Sequence, residues 1–257
     1  MILKRPSKRN NLVKSLVLRT AFFLLDIVSA IILHMSVGKR LPSACCLKHV
    51  LALFSFIFVI WAVYRYFPGV LSAEAEELLL KPIVWLIPTF WLVFKVEKKG
   101  LGSLSITKRN LFPSVYWGLG LGMVFALEGL LTNVFKYRGL NLATAGLQAD
   151  DFLRLFAISL VTAFCEETVF RGYIFNRLWK IWKNEWRANV VSALLFVVIH
   201  LPIGVFSLGY TPGVMVVYLT FIFIYGFGAA FVLARSGNLV SPVILHALWS
   251  WPIVLFR

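Results

Sequence analysis

Apolar residues in this chain come in blocks of about twenty, the length a helix needs to cross a bilayer, with short polar connectors between them. About eight such blocks stand out by length and hydropathy, at 16–35, 50–67, 78–94, 115–135, 152–179, 188–206, 214–233 and 239–256. They predict an all-α fold, a polytopic transmembrane helical bundle that occupies 1–257 as a single integral membrane domain. The first block contains Asp26 and is followed by Gly38-Lys39-Arg40 instead of a small-residue cleavage site, so it reads as a retained segment and not a signal peptide.

Composition agrees with the pattern. Of 257 residues, 60% are hydrophobic and 14% charged, and the mean hydropathy of +0.84 implies more apolar surface than a water-soluble domain can cover. The net charge of +15 changes the picture through its placement. Basic residues sit in short connectors and not on one face of a soluble module, which excludes nucleic acid as a partner and reports membrane topology. The connectors 95–109 and 177–187 are basic and read as cytoplasmic, while the acidic 72–77 and the uncharged 201–213 read as external. Lys4, Arg5, Lys8 and Arg9 disagree with an even number of crossings; either the first block lies in the interface or one connector breaks the rule. Cys45, Cys46 and Cys165 form neither a disulfide framework nor a zinc-type pair. The polar connector 137–151 ends in Asp150-Asp151, which suits the start of the following helix.

The fifth block departs from the apolar pattern, because Cys165-Glu166-Glu167-Thr168-Val169-Phe170-Arg171 puts two carboxylates and a guanidinium at bilayer depth. An ionisable group there costs about 2.5–3.5 kcal/mol on insertion scales, so those retained face a bundle interior, pair with one another and mark function. Glu167 and Arg171 are four residues apart with the acid first, the orientation that favours an ion pair within one helix. Glu166 is rotated about 100° from Glu167, so it is expected to project elsewhere, toward a cavity and His200, with no full counter-ion. His200 and His246 each sit in a later apolar block. At 1.5 Å rise per residue, Glu166, His200 and His246 lie roughly 20, 18 and 11 Å into their segments, depths compatible with one site. His34 and His49, near segment ends, read as interfacial, and the glycines at 118, 120, 122, 226 and 228 as places of close helix packing. Glu128 fits either packing or substrate contact.

Glu166-Glu167-x-x-x-Arg171, Phe196-x-x-x-His200 and His246, in that order and at these separations, resemble the three motifs of the CPBP family of glutamic-type intramembrane proteases, which includes the CAAX-processing endopeptidases. The resemblance covers 152–251 and makes 152–257 the catalytic helices. It implies that Glu166 and His200 polarise the attacking water. It also implies that His246 and the residue four later stabilise the oxyanion, although this chain has Ser250 where the family usually has Asn.

The resulting expectation is a multi-pass cell-membrane endopeptidase that hydrolyses a peptide bond of a membrane-anchored protein or peptide. Glu166, His200, His246 and Ser250 are its catalytic set, and Glu167 and Arg171 are its support. The resemblance implies no cofactor, while a glutamate and two histidines also fit a zinc site with an open position. A catalytically weak binding or immunity protein on the same scaffold, and a transporter using glutamate and histidine as a proton relay, are the alternatives.

Overall fold

The computed structural model describes residues 43–67, 69–138 and 149–255, and every regular element among them is helical. The block at 16–35, with Asp26 and His34, the basic N-terminus and most of the 137–151 connector lie outside the described residues. Helix α1 spans Ser43–Tyr66, α2 Ala73–Val96, α3 Leu111–Tyr137, α4 Ala149–Glu167, α5 Asn176–Trp182, α6 Glu185–Pro202, α7 Pro212–Ser236 and α8 Val240–Leu255. By length and composition, Cys46–Tyr66, Ala73–Val96, Leu111–Thr132, Glu185–Ser207 and Pro212–Ser236 can each cross a membrane. The other two expected blocks are helical but fall short of that measure. Charge interrupts the run from α4 into α5, and the apolar part of α8, Val240–Ser250, is short.

Local chemistry explains several boundaries. Ser72 caps α2 by accepting the Ala75 N–H at 3.2 Å, and Glu74 sits in the first turn, favourable for the helix dipole. The acidic stretch expected as an external connector is therefore mostly the start of a helix. Within α2 the backbone widens into π-helical turns at Glu76–Leu80 and Pro82–Leu86, where Pro82 cannot donate to the helical ladder. Pro202 similarly precedes a π-helical end on α6, Ile203–Ser207. A further π-helical stretch, Thr168–Phe175, joins α4 to α5 without a break.

Chain contacts divide the protein into two compact units. The first takes its described residues from 43–70 and Ala193–Ile224. In it, α1 packs against the Ile203–Ser207 turn, with the Tyr66 and Phe206 rings edge to face at 5.4 Å.

The second unit holds α2 to α5, the start of α6, the end of α7 and α8. Here α3 and α8 approach closely enough that a Cβ at Gly118 would lie 2.8 Å from the Ser241 carbonyl oxygen. Buried Asn238 fixes the α7–α8 turn by donating to the Thr107 and Arg109 carbonyls at 2.7 and 2.8 Å. At the same end, Arg177 bonds Glu97 at 2.9 Å and the Ser103 carbonyl at 2.9 Å, and Tyr173 donates to Glu97 at 2.6 Å. Burial pushes the Glu97 carboxyl up, but the Arg177 and Tyr173 hydrogen bonds and the Arg177 charge together hold it below its ordinary value. The outer face of α3 exposes Phe112, Tyr116, Met123 and Leu127, an apolar surface suited to lipid.

The glycines of α3 should thus divide by position. Gly118→Ala is expected to lower stability by about 1–3 kcal/mol, because its new methyl meets backbone. Gly120→Ala, with nothing within 4 Å, should leave the thermal midpoint in detergent unchanged. Equal midpoints for the two variants would remove close α3–α8 packing as the reason for Gly118.

Candidate active site

The adjacent acids at the end of α4 point to different helices, as their rotation predicts. Glu166 turns toward α2, where Lys81 Nζ lies 2.9 Å from its Oε1. The same ammonium is 2.5 Å from Glu77 Oε2, which also accepts the Thr162 hydroxyl at 2.6 Å. Lys81 and Glu166 are both buried, and Trp85 places its ring centroid 5.9 Å from Lys81 Nζ. The expectation that Glu166 lacks a counter-ion is overturned. A carboxylate leaving water for this interior needs a charge partner, and α2 supplies one.

Glu167 turns toward α7 and α8 and is fully buried. Its Oε1 accepts from Arg171 Nη1 at 3.1 Å, the Tyr225 hydroxyl at 2.7 Å and His246 Nδ1 at 2.7 Å. Arg171 spends another N–H on the Gly226 carbonyl at 3.1 Å, so the pair predicted within α4 also ties that helix to α7. Glu167 Oε2 and the Thr168 hydroxyl are buried with no hydrogen-bond partner among the described residues.

His246 stands between the two acids. The hydrogen bond from Nδ1 to Glu167 orients the ring and directs Nε2 at Glu166 Oε2, 3.9 Å away. The two Glu166 oxygens therefore differ: Oε1 is held by Lys81, and Oε2 faces the imidazole. Aromatic packing locks this arrangement, since Tyr225 lies 4.9 Å from the His246 ring and stacks on Trp249 at 4.2 Å and 7°. Trp249 in turn donates to Glu128 Oε2 at 3.1 Å, so Glu128 contributes to packing around the cluster.

Ser250, one turn beyond His246, shares a 2.6 Å hydrogen bond with the Ser159 hydroxyl on α4. His200 belongs to the first unit, where Nδ1 lies 2.7 Å from the Phe196 carbonyl oxygen and the ring sits 4.5 Å from that of Phe196. A carbonyl oxygen can only accept, so Nδ1 is the donor in that contact. Among the predicted residues, Glu166, Glu167, Arg171 and His246 form one buried cluster. Lys81, Glu77, Tyr225 and Ser159 join it or its neighbour without having been predicted. Glu77 and Lys81 repeat the four-residue acid–base spacing of Glu167 and Arg171, a signal present in the sequence; Tyr225 and Ser159 carry none. Among the described residues, no group of three His, Cys, Asp or Glu side chains has the arrangement to hold a metal ion.

Residues 148–252 match the family model described as type II CAAX prenyl endopeptidase Rce1-like. No curated protein and no solved structure gives a significant match. The matched domain contains all three motifs and agrees with the CPBP resemblance. With several helices apolar enough to span a bilayer, the chain is a multi-pass membrane protein, and the domain supports an intramembrane endopeptidase in general.

Because three donors converge on one oxygen of Glu167, its truncation should be structural first. Glu167→Ala strands the buried Arg171 charge and is expected to cost about 3–5 kcal/mol in detergent melts. Glu167→Gln, which keeps an acceptor there, should fall between the alanine variant and wild type. A wild-type midpoint for Glu167→Ala would contradict this role.

Proposed function

We propose that this protein is a glutamic-type intramembrane endopeptidase, with Glu166 as the base that activates water. The observation that carries the reading is the buried Glu166 carboxylate, anchored through Oε1 and presenting Oε2 to an imidazole. Glu166 removes a proton from water, and the resulting hydroxide attacks the substrate carbonyl. The C–N bond then breaks, and the proton passes to the leaving amine, giving a carboxylate and an amine. His246, aligned by Glu167, meets the oxyanion with Ser250 as a second donor. For His200 the motif resemblance implies polarisation of the attacking water. Arg171, paired with Glu167, orders the segment that carries both acids.

The substrate class that suits this domain is a membrane-anchored protein or peptide, processed in the cell membrane; the family description names a CAAX prenyl endopeptidase. The reaction is proposed without a cofactor. Chelation followed by zinc addition tests that directly, since recovery of activity only with metal would replace the mechanism.

Glu166→Gln should lose at least ~10²-fold in turnover on a membrane-anchored peptide while retaining its thermal midpoint, because it deletes the base and keeps the shape. Full activity in that variant excludes Glu166 as the base. If no peptide in a broad panel is cleaved while one is bound tightly, the binding or immunity reading replaces hydrolysis; proton flux in vesicles would favour transport.

Ser250 gives a graded test. Ser250→Ala should cost less than the ~10²–10³-fold expected for losing a well-placed oxyanion donor, and Ser250→Asn should preserve or raise turnover. His246→Ala should cost far more than either. Wild-type kinetics for His246→Ala would take α8 out of the reaction.

A further inference from the structure

We propose that Lys81, in α2 and outside the matched domain, is a positioning residue that holds Glu166 ionised and fixes which of its oxygens serves as the base. The inference rests on the reading of Glu166 as that base. Lys81 bonds Oε1 at 2.9 Å, while Oε2 is the oxygen that faces His246, the residue assigned to the oxyanion. Lys81 is itself held at 2.5 Å by Glu77, which the Thr162 hydroxyl fixes from α4. A flexible ammonium chain is thereby confined at both ends of its reach. Among the described residues, the ionisable groups around Glu166 include Lys81 and Glu77 on α2, Cys165, Glu167 and Arg171 on α4 and its continuation, Tyr225 on α7 and His246 on α8. Arg171 bonds Glu167 and Gly226, and His246 Nε2 stands 3.9 Å from Oε2, while Lys81 bonds Oε1 directly at 2.9 Å. An opposite charge at that range moves a carboxyl group by about 1–3 pH units.

The test uses the full chain in detergent or vesicles. Lys81→Met should lower kcat at neutral pH by at least tenfold, with KM changed little. Its acidic limb of kcat/KM should move up by about 1–3 pH units, so that raising the pH restores activity. Lys81→Arg, which keeps the charge, should keep the limb near that of wild type. Because Lys81→Met takes the cation from buried Glu166 and half-buried Glu77, Glu77→Gln/Lys81→Met provides a better-balanced background. Infrared spectra of that double variant at neutral pH should contain a protonated-carboxyl band that wild type lacks and that further substitution of Glu166→Gln removes. A folded double variant with a wild-type limb and no such band overturns the proposal. The infrared outcome reads the Lys81–Glu166 link even if no peptide is hydrolysed, so failure of the endopeptidase reading and failure of this inference give different results.

Discussion

Burying a carboxylate costs several kcal/mol unless a charge and hydrogen bonds go in with it, and the second unit is arranged around that constraint. Glu166 and Glu167 are neighbours in sequence but take their bonded cations from different places, because each points to a different side of α4. One is met by Lys81 of α2, the other by Arg171, Tyr225 and His246. The two acids thereby decide which helices surround α4. Much of the remaining packing serves to keep the partners in reach, from the Trp249–Tyr225 stack to the Ser159–Ser250 bond.

A division of labour follows from the same geometry. Glu167 has an Oε1 crowded with donors, so it is suited to holding things still. Glu166 keeps one oxygen directed at an imidazole whose orientation its neighbour has set, so it is suited to moving a proton. Adjacent identical side chains acquire different chemistry from their surroundings alone, the general way in which carboxylates in one site take separate roles.

Much of this was legible beforehand. Hydropathy located the described helices to within a few residues, and the spacing of Glu167 and Arg171 predicted their ion pair. The opposite orientations of Glu166 and Glu167 followed from helical rotation. Lys81 was not read, although it stands alone in an apolar block four residues after Glu77; treating 72–77 as a connector hid the pairing, and the Ser72 cap explains why the helix begins early. Tyr225 was beyond reach for another reason. In a chain with 16% aromatic residues, nothing local distinguishes the ring whose hydroxyl meets Glu167 from those that only fill space. Helix ends shifted where proline or charge altered the backbone, features to which hydropathy is blind.

The repeated acid–base spacing also bears on how the protein is made. Glu77 and Lys81 can neutralise each other within α2, and Glu167 and Arg171 can do so along α4 and its continuation, before either helix has met a neighbour. Each segment can thus leave the translocation machinery for lipid with most of its charge already matched. Glu166 differs, because the ion pair it makes with Lys81 joins two helices and not two turns of one. The ammonium it bonds, Lys81, comes from α2, so in the proposed reading the meeting of these two helices is at once a step of assembly and the step that completes the site of the base.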